Sequence, residues 1–226
     1  MKKFLTAKWL DLVMANYLVE PSVLEEFIPK GTTLDFWNGE CYVSLVAFKF
    51  FDARVLGFKI PFHTNFLEVN LRFYVKRETI DETRRGVVFI KEIVPRRAIA
   101  YVARYETWQM RHEQRENELA YLWLKRGKTN RIKINFQNEI GVPLEDSHES
   151  FIIEHYWGYT RRGARRTDEY KVEHPKWSLY EAHNAEIAVD FAAVYGENFA
   201  FLTNEKPKSI LMAKGSEIAV YKGAKL

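Results

Sequence analysis

The sequence predicts a mainly β chain of the α+β class, one domain over residues 1–226 built on a large, partly closed antiparallel sheet with a few short helices. Three observations carry this. The chain holds 16 Phe, 12 Tyr and 6 Trp, 15% of its residues, and rings favour strands while supplying large packing area. Its apolar runs are short and mostly alternate, as half-buried strands do. Rings are spread along all 226 residues, with no low-complexity linker and no internal repeat, so no segment lacks core-forming side chains. A hydrophobic share of 47% with 28% charged residues excludes a disordered chain.

The elements follow in order. Trp9 to Val19 is apolar and aromatic and reads as a buried strand. Pro21 suits a first helical turn, Val23, Leu24, Phe27 and Ile28 give that helix an apolar face, and Pro29-Lys30-Gly31 ends it. Asn38-Gly39 between Thr33–Trp37 and Cys41–Phe51 predicts a type I′ hairpin, because both central residues need positive φ. The second arm is apolar on both faces and should be a central strand. Leu67 to Lys76 alternates, with Leu67, Val69, Leu71, Phe73 and Val75 opposite Glu68, Asn70, Arg72 and Tyr74. Gly86 to Ile93 is a further strand. After Pro95, residues Ala98, Ile99, Val102 and Ala103 recur at helical spacing. Met110 to Phe136 reads as two or three antiparallel strands with turns near Glu113-Gln114-Arg115 and Gly127-Lys128. Phe151–Thr160 and Tyr170–Tyr180 flank a basic turn, Arg161 to Arg166, and Val189–Tyr195 suits a short helix. Ser209–Ala213 and Glu217–Tyr221 read as two short strands around Lys214-Gly215-Ser216.

Charge and motifs narrow the chemistry. A net charge of +4 is spread among mixed signs and points only weakly to anionic partners. The basic turn lies among Tyr156, Trp157, Tyr159 and Tyr170, a composition that can bind single strands, but Asp168 and Glu169 offset it; a solvated hairpin tip and no nucleic-acid partner are expected. One Cys excludes a disulfide framework, and Cys41 in an apolar strand reads as an inert thiol. Lys8 and Asp11 interrupt the opening apolar stretch, and no run approaches the ~18 residues of a membrane span, so a cytoplasmic protein without a membrane partner is expected. No Gly-rich phosphate loop, dinucleotide fingerprint or nucleophile elbow is present, and no cofactor is expected. His148 with Glu149 and Glu154 with His155 lack a defined third ligand, so no metal is expected. A short exposed edge or the Arg161 turn offers a way to pair subunits.

Glu68, Asn70 and Arg72 are the residues with most chemical content. They share one strand face. Either that face meets water while Val69, Leu71 and Phe73 fill the core, or it lines a cavity. In the second case Arg72 grips a carboxylate bidentately and Glu68 orients the ligand or acts as acid/base. Asn16 and Tyr17 fit a cavity wall or plain packing; Trp177 fits packing.

Specific strings carry a resemblance. Phe4-Leu5-Thr6-Ala7-Lys8-Trp9 followed by Leu12-Val13-Met14-Ala15-Asn16-Tyr17, Pro29-x-Gly31-Thr32-x-Leu34-Asp35 and, most specifically, Asn65-Phe66-x-Glu68-Val69-Asn70-Leu71-Arg72-x-Tyr74-Val75 resemble the uncharacterised bacterial domain-of-unknown-function family 2071. Val43-Ser44-Leu45-Val46, Gly86-Val87-Val88-Phe89, Pro175-x-Trp177 and Gly215-Ser216 extend the match over nearly the whole chain. That family looks like a branch of the acetoacetate decarboxylase-like superfamily. The resemblance implies an antiparallel β-barrel with a central cavity and a few helices, and it places Glu68 in a string like that of the decarboxylases' active-site Glu. Those enzymes form a Schiff base through a lysine in a Pro-Lys-Lys string. The nearest counterpart here is Pro95-Arg96-Arg97, and Arg stays protonated and cannot form an imine. The expectation is therefore a barrel that takes a small organic acid or carbonyl compound without imine chemistry, with Arg96 and Arg97 joining Asn70 and Arg72 on the ligand. The alternative is a non-catalytic ligand-binding or protein-interaction module that keeps only the fold.

Overall fold

A computed structural model describes residues 2–61, 63–95, 106–107 (backbone only), 109–125, 127–163 and 166–226. Its strands are β1 (Lys3–Leu18), β2 (Thr33–Leu34), β3 (Tyr42–Val55), β4 (Phe58–Lys59), β5 (Phe66–Glu78), β6 (Thr83–Val94), β7 (Glu106–Thr107), β8 (Gln109–Arg115), β9 (Glu118–Lys125), β10 (Lys128–Gly141), β11 (Trp157–Arg161), β12 (Thr167–Glu173), β13 (Leu179–Ala188), β14 (Ser209–Tyr221) and β15 (Ala224–Lys225). The helices are short: α1 (Pro21–Leu24), α2 (His148–Ile153) and α3 (Phe191–Tyr195), with 3₁₀ turns at Glu25–Phe27 and Glu197–Thr203.

The pairing order β12-β11-β6-β5-β3-β1-β14 closes on itself through β12–β14, giving a ring of seven strands. Closure is made by Val172↔Val220 and Glu173↔Ala219. Two pairings depart from the all-antiparallel expectation: β11 runs parallel to β6, at Trp157↔Gly86 and Gly158↔Val87, and so does β7, at Ile93↔Glu106 and Val94↔Thr107. From the other half of β14, strands β13, β10, β9 and β8 continue as an arm. Thus β14 serves two sheets, pairing with β13 at Met212 and Ala213 and with β12 at Ala219 and Val220.

This layout explains the apolar character of β1, β3 and β5 on both faces. Their odd-numbered side chains, among them Val13, Val43, Leu45, Leu71 and Phe73, pack with Tyr121, Trp123 and Ile134 of the arm and with Phe191 and Phe199. Their other face, with Leu12, Met14, Tyr42, Val46, Phe48 and Tyr74, packs inside the ring against Phe151, Ile152 and Ile153 of α2, which plugs it.

Several elements differ from the sequence reading. The Asn38-Gly39 turn forms, with φ of 50° and 81°, but it joins only Trp37 and Glu40. Its first arm pairs instead with β5, at Thr33↔Lys76 and Leu34↔Val75. Asp35, held by Arg85 and His155, draws that arm away from β3. Phe151 lies in α2 rather than a strand, because the Ser147 hydroxyl accepts from Ser150 N–H and starts a helix there. Three strands fill Gln109–Gly141, the first turning at Glu116-Asn117, past the expected triplet. Tyr170–Tyr180 is broken at His174-Pro175, where Pro cannot extend the ladder. Ser209–Tyr221 is one strand, not two, since Gly215 continues it through a left-handed residue with φ 83°. The helix expected after Pro95 falls on residues outside those described.

Candidate functional site inside the strand ring

The even-numbered side chains of β5 enter the ring. Glu68 pairs across to Phe48, Asn70 to Val46 and Arg72 to Ser44 on β3, while Asn70 faces Glu92 on β6. Glu68 is 2% exposed and Asn70 1%. Glu68 and Asn70 are thus buried and Arg72 half-buried, so the first two side chains of this face do not meet water. A bulge at Ile90 keeps Glu92 and Phe89 on the same inner face as Asn70 and Arg72.

The hydrogen bonding there is incomplete. Asn70 Nδ2 donates to Glu68 Oε1 at 2.8 Å. Arg72 Nη2 donates to the Ile152 carbonyl at 3.3 Å and lies 3.9 Å from Met14 Sδ, so the guanidinium caps the C-terminal end of α2. Among the described residues Glu68 Oε2, Asn70 Oδ1 and Arg72 Nε are buried with no partner. Burial pushes the Glu68 carboxyl up to about 7, against the opposing pull of the Asn70 amide and the Arg72 charge.

Nη2 of Arg72 is thus engaged at the end of α2, while Nε is buried on the interior side without a partner among the described residues. Arg96 and Arg97 lie outside the described residues. Lys91, the lysine closest to that pair in sequence, sits opposite Leu71 and donates to the Val194 carbonyl at 2.7 Å, on the face away from the ring interior.

Other groups in the ring escaped the sequence reading. Tyr170 on β12 crosses Gly158 of β11; a Cβ there would lie 2.2 Å from the tyrosine Cζ. Burial raises its phenol, and the charges of Glu92 and Glu68 raise it further. His174 stacks on Trp177 at 4.0 Å between ring centroids, and burial lowers its imidazole. Trp9, Phe48, Phe50 and Trp177 build the aromatic wall beside Glu68, with Trp9–Phe48 centroids 5.2 Å apart. Trp177 packs as expected, its indole N–H donating to Ser216 Oγ at 2.8 Å.

Beyond Arg72 a chain of polar side chains is hydrogen-bonded, while His155 Nδ1 and His148 Nε2 are buried without a partner among the described residues. Tyr74 OH meets Ser44 Oγ at 2.6 Å, Ser44 donates to Asn16 Oδ1 at 2.6 Å, and Asn16 Nδ2 donates to Ser209 Oγ at 2.9 Å. Asn16 therefore belongs to this network, whereas Tyr17 packs on Phe191 in the arm core. His155 Nε2 and Arg85 Nε share Asp35 Oδ2 at 3.1 and 2.7 Å. Burial holds His155 down at about 4, and the hydrogen bonds Asp35 accepts from His155 and Arg85 keep its carboxyl low despite burial. Among the described residues no three His, Cys, Asp or Glu gather as a metal site. At the basic turn, Arg162 and Arg166 both pair with Asp168. Glu169 does not offset the turn; it is buried and binds Arg77 and Arg84.

A closed ring plugged by a helix, with an arm sheet packed on its outer face, is the acetoacetate decarboxylase-like fold. Acetoacetate decarboxylase from Legionella pneumophila superposes with a TM-score of 0.69 at 9% identity, covering 100% of this chain and 88% of that one. The enduracididine biosynthesis enzyme MppR complexed with pyruvate gives 0.69 at 9%, covering 100% and 91%. Within that fold the chain belongs to DUF2071, a family described as an uncharacterised conserved protein, whose profile matches residues 6–217. A relative is the uncharacterised protein YqjF of Bacillus subtilis (strain 168), 26% identical over 192 residues, 80% of this chain and 77% of that protein. Among the described residues no helix is long and apolar enough to cross a membrane.

Proposed function

We propose that the ring interior binds a small organic acid or carbonyl compound at Glu68, Asn70 and Arg72, with Arg96 and Arg97 as further ligand-binding residues. The observation that carries this is the row of three buried polar atoms without partners among the described residues, Glu68 Oε2, Asn70 Oδ1 and Arg72 Nε. Each unmet buried polar group costs about 1–3 kcal/mol, and a fold keeps three in one row when something else satisfies them. Glu68 is the acid/base candidate, since a carboxyl near 7 exchanges protons at neutral pH. Imine chemistry is absent from this reading: arginines stand where the decarboxylases carry lysines, and Lys91 is turned to Val194. MppR, bound to pyruvate, supports a small carbonyl compound as the ligand class on this fold.

The second reading, a non-catalytic binding or interaction module, rests on the Arg72 contact with Ile152, which gives the guanidinium a structural task. Thermal shift with a panel of keto acids, hydroxyketones and aldehydes, repeated on Arg72→Ala and Glu68→Ala, tests the site. Ligand-dependent shifts in the parent that vanish in both variants are expected; equal shifts in all three proteins would refute it. Borohydride treatment with the keto acids should leave the intact mass unchanged, and a lysine adduct would restore imine chemistry.

A further inference from the structure

Outside the ring interior, the hairpin that joins β3 to β4 carries a feature its own fold does not require. Val55 pairs with Phe58, so the turn is the two residues Leu56 and Gly57, with φ of 51° and 88°. Positive φ at both positions is the type I′ pattern, which Asn-Gly fits and a leucine strains against. Leu56 stands there all the same, 53% exposed, with Phe58 77% exposed beside it and Ile60 and Phe4 exposed as well. The Leu56 N–H donates to the Phe4 carbonyl at 2.8 Å, which fixes the tip against the start of β1. A strained turn that holds apolar side chains out in water destabilises the chain by itself and points to a contact beyond it.

Cations border the same tip. Lys2 and Lys3 precede Phe4, the Lys222 N–H donates to the Lys2 carbonyl at 2.9 Å, and Lys59 follows Phe58; all four lysines are exposed. The nearby acids are engaged: Asp52 by Arg54 at 3.0 Å and by Lys59 at 2.7 Å, and Glu173 by the Tyr221 hydroxyl. We propose that this tip docks on an anionic bilayer surface, with Leu56, Phe58 and Ile60 entering the headgroup layer and the lysines meeting the lipid charges. A bilayer accepts a narrow, convex tip without matching its shape, and apolar area together with positive charge sets the affinity. A second copy of the chain suits it less, because four partly exposed side chains fall well short of the roughly 800 Å² per partner that a stable protein interface takes. The contact departs from the expectation of no membrane partner, which rested on the lack of an apolar span; docking on a surface needs no span.

Co-sedimentation of the whole chain with vesicles tests this. Mixed phosphatidylcholine and phosphatidylserine vesicles should bind it about tenfold more tightly than phosphatidylcholine alone, and high salt should remove most of that difference. Leu56→Asn combined with Phe58→Thr gives the turn the residue it favours and takes away two apolar anchors. This double variant should melt no lower than the parent and bind the mixed vesicles about tenfold more weakly. No binding to the mixed vesicles, binding indifferent to phosphatidylserine, or binding unchanged in the double variant overturns the proposal. So does a parent that is dimeric by light scattering without lipid while the double variant is monomeric, since the tip then belongs to a second copy. Should the double variant fail to fold, Phe58→Thr alone, at a largely exposed position, decides by the same vesicle readout.

Discussion

Glu68 and His155 are the two buried ionisable side chains whose burial bears most on pH. Glu68 is held near 7, above its ordinary value of 4.5, so between those values the unfolded chain releases a proton that the folded chain keeps. Its contribution makes the fold less stable as pH rises through that window. His155 is held near 4, below 6.5, so the unfolded chain gains a proton first and stability falls as pH drops. The two slopes oppose each other between about 4.5 and 6.5, each worth at most roughly 1.4 kcal/mol per pH unit. Glu68→Gln removes one of them. Urea melts at pH 5 and 6.5 should then show stability rising more steeply with pH than in the parent; an unchanged slope would mean Glu68 titrates normally. That Glu68, Asn70 and Arg72 share a face was legible from alternation. That the face is enclosed was not, because a two-sided sheet and a half-buried one differ only in what packs outside the strand. The polar partners Glu92 and Tyr170 were illegible for a different reason: their direction depends on the bulge at Ile90 and on the room left by Gly158.

At the level of elements, β14 bears the greatest constraint. Gly215 lies where the strand passes from one sheet to the other, and a Cβ there would stand 1.9 Å from the Trp9 carbonyl oxygen. That obstacle is backbone and cannot turn aside, and the φ of 83° is itself strained for any other residue. Gly215→Ala should cost about 2–4 kcal/mol in a urea melt, the sum of strain and overpacking. Gly158→Ala meets a tyrosine ring instead, which can swing away, so a smaller loss of about 1–3 kcal/mol is expected, with the Tyr170 ring displaced in a crystal structure. The sequence showed Gly215 as a turn between two strands because glycine flanked by Lys and Ser is ordinary turn chemistry. The β-rich runs themselves, from Trp9 to Ile93, were readable since their apolar periodicity is local. Pairing partners were not: β2 leaves its neighbour in sequence for β5 through a contact between Asp35 and His155, 120 positions apart.

For the whole molecule, the important point is that β1, β3 and β5 are common walls of two cores. Neither core keeps its inner surface if the other dissolves. Unfolding followed by tryptophan fluorescence, with Trp9 and Trp177 on the ring side and Trp123 in the arm core, should coincide with the loss of far-ultraviolet circular dichroism. Two separated transitions would show that the cores stand independently. The spread of rings seen in the sequence has a physical reason here: both sides of three strands need apolar partners.

The pairing of β1 with β14 also sets an order of events during synthesis. Lys3 meets Tyr221 and Asn16 meets Ser209, so β1 waits for β14, which is made long after it. Until Ser209–Tyr221 has left the ribosome, one edge of β1 stays open along most of its length and the ring has no closing strand. An open edge of that length invites pairing with another chain. For this fold, the hazardous interval is therefore the synthesis of everything between β1 and β14, and a chaperone that shields an extended apolar strand would act on β1 throughout it.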